Sequence, residues 1–165
     1  MPAQRRIDLV LESVKRLQRI GANANLLNLL QKQHPADLAQ VFGELTERDR
    51  RDSFALLVER YSRLAMEAIS ELGPEAGAAM LADRSAEDLA ELLQELPSDD
   101  AAALIEHLPE TLSIAVLDLL ERREAGDVQN LLEYAEQTAG RIMNPNVFAL
   151  SEDLTAGEAI AALQT

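Results

Sequence analysis

Ser85 to Leu108, SAEDLAELLQELPSDDAAALIEHL, reads as two short helices broken at Leu96-Pro97-Ser98. Leu89, Leu92, Leu93 and Leu96 recur at the three- and four-residue spacing of one helix face. Ser85 with Asp88 three residues on is a capping-box signature, Asp standing for the usual Glu or Gln, and starts the first helix. Pro97 cannot continue it, and Ser98 is read as the N-cap of the second. That helix opens on Asp99 and Asp100 and turns Ala102, Leu104, Ile105 and Leu108 inward.

The same form occurs at His34 to Leu57, HPADLAQVFGELTERDRRDSFALL, where Asp37-Leu38-Ala39 matches Asp88-Leu89-Ala90. Closing leucines fall at Leu45, Leu72, Leu96 and Leu120, spaced 27, 24 and 24 residues apart. A nearly constant period in this range describes helix pairs that each bury an apolar face on their neighbours. The expected fold class is therefore all-α, a stack of short helix pairs.

Composition limits the function. The chain of 165 residues carries a net charge of −14, which opposes nucleic acid and anionic membrane surfaces and admits cationic partners, divalent metals among them. It has no Cys, so no disulfide framework and no thiolate metal site. There is no Trp and there are three Phe and two Tyr, so the core is aliphatic. No apolar run approaches the ~18–20 residues that span a bilayer, and the opening MPAQRRIDLV lacks a signal core, so no direct membrane insertion is expected.

Along the chain, Gln4 to Ile20 is an amphipathic helix with a basic outer side (Arg5, Arg6, Lys15, Arg16, Arg19), stopped at Gly21. Ala24 to Lys32 is a second helix. His34 caps a helix with Pro35 at its first position, and Thr46 with Asp49 caps the next. Arg48, Arg50 and Arg51 form a basic group interleaved with acids. Tyr61 to Leu72 stops at Gly73, and Gly73 and Gly77 point to close helix approach. Glu110 to Leu120 and Glu124 to Tyr134 complete the stack. The character then changes. Val147-Phe148-Ala149-Leu150 reads as a short strand, and Thr155 with Glu158 caps a final helix from Ala156 to Gln164. A lone strand has no partner, so residues 1–137 are expected to form one helical domain and 138–165 to open a second whose sheet lies beyond Thr165.

No catalytic constellation is present: no G-x-S-x-G, Gly-rich phosphate loop, H-E-x-x-H or Cys nucleophile, so no enzyme activity is expected. What remains is carboxylate clustering between Asp83 and Glu124, with Asp99-Asp100 in the first turn of a helix. Acids there complement the helix dipole without any metal. They also suit Mg²⁺, a hard cation that takes oxygen ligands, keeps several waters and draws one or two carboxylates from each element. The EF-hand pattern is absent.

The order HPADLAQVFGEL, then ELPSDDAAALIEHLP, then EQTAGRIMNPNVFALSEDLTAGEAIAAL resembles the MgtE family of magnesium transporters. The most specific piece is Thr138-Ala-Gly-Arg-Ile-Met-Asn-Pro, where the family tends to read T-A-G-G-L-M-T-P; Arg141 stands at its second Gly and Asn144 at its Thr. The resemblance implies a right-handed superhelical domain of armadillo/HEAT-like helix pairs, followed at 138–165 by a linker and the incomplete α/β opening of a CBS module. It implies a cytosolic Mg²⁺-sensing and gating domain on the inner face of the membrane, which favours the closed pore when Mg²⁺ bridges it to the CBS modules. The partners implied are the CBS modules and transmembrane domain of the same chain, in a homodimer. The metal-ligand positions implied are Glu67 and Asp99, with Asp100 as the adjacent acid; a further family acid falls on Ala103. Mg²⁺ is the regulatory ion implied, bound weakly by this stretch alone. The alternative is an armadillo-like protein-binding scaffold with no metal role, in which the acids are a solvated face.

Overall fold

The structure is a computed structural model that describes residues 2–120, 128, 130–135, 137–145 and 147–163. Its helices run in chain order α1 (Pro2–Arg19), α2 (Asn23–Leu30), α3 (Pro35–Glu44), α4 (Glu47–Val58), α5 (Ser62–Leu72), α6 (Pro74–Leu81), α7 (Ala86–Leu93), α8 (Ser98–Glu106), α9 (Glu110–Leu119) and α10 (Ala156–Leu163). Val128 and residues 130–132 are also helical, with Val128 and Leu131 buried. Residues 124–127, expected to open that helix, lie outside the described residues.

The helices pack in two rows. α1, α3, α5, α7 and α9 each lie against the next of the series, while α2 packs on α4 and α6 on α8. Contacts of α1 with α2, and of α5 with α4 and α6, tie the rows together. This is the expected all-α stack. Its seams are the leucines of the repeat: Leu45, Leu96 and Leu120 are buried at helix ends, and Leu72 is packed against the same core. α5 sits at the centre and buries Ala65, Met66, Ala68 and Ile69, small residues alternating with large ones so that neighbours approach closely.

Local signals set the boundaries. The N–H groups of Gly21 and Ala22 donate to the carbonyls of Gln18 and Leu17, a Schellman stop with Gly21 at φ +66°. His34 Nδ1 accepts from the Ala36 N–H, Thr46 Oγ1 from Asp49 and Ser85 Oγ from Asp88. Thr155 and Glu158 close a reciprocal capping box at the start of α10, and the Thr155 hydroxyl and N–H, both donating to Glu158 Oε2, hold the exposed Glu158 carboxyl below its usual range.

Two expectations change, and one residue gains a role that its spacing did not show. Pro97, not Ser98, occupies the N-cap of α8, and Ser98 is buried in its first turn. The strand expected at Val147–Leu150 does not form: these residues are irregular, and no strand occurs among the described residues. A strand needs a ladder partner for its N–H and C=O groups, and none is supplied. Arg50, in the basic group interleaved with acids, has a specific set of acceptors. Its Nε donates to Phe42 O at 2.6 Å, and its Nη2 to Gly43 O and Leu45 O, both at 3.3 Å. It thus caps the carbonyl end of α3 from α4, with its charge on the negative end of the dipole. Arg50→Ala is expected to cost about 2 kcal/mol, the worth of charge-assisted bonds to part-buried carbonyls, and Arg50→Lys to recover less than half because one ammonium cannot span three acceptors. Urea melts of the three proteins check this.

Candidate cation site

α8 is positioned by its inward face. Ala101, Ala102, Leu104 and Ile105 are buried, and Leu104 lies over Gly77 of α6. With that face committed, the first turn of α8 presents Asp99 and Asp100 at the surface of the stack, both half-buried. Consecutive helix residues lie about 100° apart, so the two acids look in different directions.

Asp100 looks into a cleft of about 580 Å³. Its walls are Glu67, Ser70 and Glu71 of α5, Glu95 and Pro97 of the turn before α8, Arg63, and His34-Pro35 at the start of α3. Four carboxylates thus share one cleft with one guanidinium. Glu67 accepts a 2.9 Å bond from Arg63 one turn earlier, and Glu95 accepts from Ser62 Oγ at 3.0 Å. Burial pushes the Asp100 carboxyl above its ordinary value; a hydrogen bond from Ser70 opposes this, and the charges of Asp99 and Glu71 add to it.

Asp99 is turned away from Glu67. It lines a second cavity of about 360 Å³ with Asp100, Ala103, Glu106, His107, Pro74, Gln137, Arg141 and Ile142. Its Oδ1 is buried and has no hydrogen-bond partner among the described residues. The structure therefore brings Glu67 and Asp100 together and places Asp99 on the other side of the same helix start. Glu71 and Glu95 were missed in the sequence. Glu71 stands one turn after Glu67 and was legible from that spacing. Glu95 follows the end of α7, where no period marks it.

The two cavities offer carboxylate oxygens, the donor type a hard divalent cation takes; burial and like charge push Asp100 toward protonation, and Asp99 Oδ1 is buried without a partner among the described residues. Among the described residues, no group of three or more His, Cys, Asp or Glu is arranged to hold a metal unaided. The raised Asp100 value has a stability consequence. The folded state holds a proton that the unfolded state has released, so stability falls as pH rises from the ordinary aspartate value through the folded one. Asp100→Asn is expected to remove that fall. It should raise Tm at pH 7 in metal-free buffer by a few °C at most, at the ~2–4 °C per kcal/mol of a chain this long. Thermal melts from pH 3 to 7 check both signs.

The family described as the MgtE intracellular N domain matches residues 33–137. The chain is similar to the crystal structure of the cytosolic domain of the Mg²⁺ channel MgtE in complex with ATP. It shares 30% sequence identity and a TM-score of 0.79 with it, covering 93% of this chain and 62% of that one. It shares the fold of the soluble part of a magnesium transporter at 23% identity and a TM-score of 0.69, covering 98% of this chain and 61% of that one. The chain thus spans about three-fifths of the length of either structure. No curated protein matches it. No helix among the described residues is long and apolar enough to cross a membrane. The match over residues 33–137 takes in α3 to α9, the greater part of the sequence and every acid of the cleft, and the chain therefore belongs to the family of the MgtE intracellular N domain.

Proposed function

We propose that this domain is the Mg²⁺-sensing and gating part of a magnesium transporter or channel, working on the cytosolic face of the membrane. The observation that carries the reading is the crowding of Glu67, Glu71, Glu95 and Asp100 in one cleft at the start of α8. Without a cation these carboxylates repel one another and any acidic neighbour. Mg²⁺ between this face and the CBS modules of the same protein converts repulsion to bridging and favours a compact, closed arrangement, by as much as its affinity differs between the two states. Glu67, Asp99 and Asp100 are the ligands proposed from this chain, in a protein that works as a homodimer with its CBS and transmembrane parts. Residues 138–165 are proposed as the linker and first helix of the first CBS module. Because the domain supplies part of each ligand set, its own binding of Mg²⁺ is weak.

The test is protease sensitivity of the intact cytosolic region, with Mg²⁺ compared with K⁺ at matched ionic strength to separate binding from screening. Slower cleavage in Mg²⁺ is the expected result. Equal cleavage in the two salts would leave the acids as a helix cap and a solvated face, and a protein-binding scaffold would become the better description.

A further inference from the structure

The side chain of Arg141 is 7% exposed, although it belongs to a segment that follows the helical stack. Its Nη2 pairs with Glu106 in the last turn of α8 and reaches the Ala102 carbonyl at 3.5 Å. Its Nη1 is buried with no partner among the described residues. Arg141 lines the same cavity as Asp99, whose Oδ1 is likewise buried and unpartnered. That cavity holds three carboxylates (Asp99, Asp100 and Glu106), the exposed His107, and one guanidinium. The segment has a second foothold, for Gly140 lies so close to the Tyr134 ring that a Cβ there would sit 2.4 Å from Cδ1.

We propose that Arg141 is a tethered cation that latches residues 137–142 onto α8 and competes with free divalent cations for the carboxylates at the start of that helix. A guanidinium this deeply buried stays only while it is paired, and its one carboxylate partner is Glu106 among the described residues. A divalent cation drawn to Asp99 and Asp100 brings like charge into the cavity that Arg141 lines and weakens the latch. Removal of the guanidinium leaves the three acids with no fixed counter-charge among the described residues that line the cavity, and strengthens the attraction for the cation. The latched and cation-bound states therefore alternate, and the linker reports occupancy of the α8 start. This rests on the proposed Mg²⁺ role of Asp99 and Asp100.

Trypsin supplies a direct readout, because cleavage after Arg141 requires its side chain to leave the cavity. In this chain, Glu106→Gln in metal-free buffer should speed cleavage after Arg141 about tenfold over wild type, with circular dichroism confirming an unchanged fold. MgCl₂ should speed the same cut in wild type relative to KCl of equal ionic strength. Arg141→Met keeps the apolar stem, and its melting temperature should respond to roughly tenfold less Mg²⁺. An unchanged cut in Glu106→Gln overturns the latch, whatever Mg²⁺ does at Asp99. A Mg²⁺-dependent rise in wild-type Tm with no acceleration after Arg141 overturns the competition and leaves the sensing role standing. No Mg²⁺ response in the Tm of either wild type or Arg141→Met overturns the sensing role and the competition together.

Discussion

Gly77→Val is expected to lower stability by about 3 kcal/mol, seen as a fall in Tm of roughly 10 °C. A Cβ at position 77 would lie 2.7 Å from Leu104 Cδ2 and 2.8 Å from the Ile69 carbonyl oxygen. The leucine methyl is the softer obstacle, yet Leu104 is fully enclosed in the core and has nowhere to rotate. The carbonyl belongs to the backbone of α5 and cannot yield without moving that helix. α6 must therefore lift from α5, from α8, or from both. Because α6 is what α8 packs on in its row, the start of α8 moves too, and the Mg²⁺ response of the intact region should weaken with the stability. Gly43 provides the contrast. A Cβ there meets Leu72 Cδ1 at an ordinary 3.8 Å, so Gly43→Ala removes a helix-disfavouring residue without a clash and should gain ~0.5–1 kcal/mol. Calorimetric melts of both variants decide the matter: a Gly77→Val protein that melts with wild type would mean α6 is not seated against α5 and α8.

Asp99→Asn/Asp100→Asn should abolish the Mg²⁺-dependent protection of the intact cytosolic region, raising the Mg²⁺ concentration for half-protection at least tenfold. The substitutions preserve shape and remove two negative charges, and a neutral amide oxygen is a poor exchange for a carboxylate at a hard cation. The metal-free protein should respond in the opposite direction at position 100. Burial, Asp99 and Glu71 all disfavour the Asp100 charge, so the Asn there relieves a penalty. The helix dipole at the start of α8 works the other way by ~0.3–1 kcal/mol and is the smaller influence where the net shift is upward. A variant that is no less stable without Mg²⁺ and no longer protected with it separates cation binding from a structural role of these acids. Protection that survives in the double variant would move the sensor to other carboxylates, with Glu67, Glu71 and Glu95 the next to test.

The sensing reading and the latch make different demands on α8. Sensing needs the N-terminal acids to be accessible and short of counter-charge. The latch needs the C-terminal acid, Glu106, to hold a guanidinium delivered from 35 residues on. One helix of nine residues carries both, because its inward face alone is committed to the core.

Much of the domain was legible before any fold was known. The leucine period, the caps at His34, Thr46, Ser85 and Thr155, and the stop at Gly21 are interactions over a few residues, decided by side chain and backbone within one or two turns. They placed nearly every helix and most of the core. Glu67, Asp99 and Asp100 were named through a family resemblance and stand as proposed ligands, since hard-cation sites built from scattered carboxylates leave almost no spacing. Tertiary structure alone decided the rest. It put Asp100 with Glu67 and turned Asp99 to the other side, because the packing of α8 on α6 sets the rotation of the helix. It made Arg50 a cap for α3, and it buried Arg141 against Glu106. It left Val147–Leu150 without strand structure, since a ladder needs a partner that local propensity cannot supply. Local hydrogen bonds and periodicity are written in neighbouring residues; the partners of a charge or a strand are chosen by which distant surfaces the buried faces bring together.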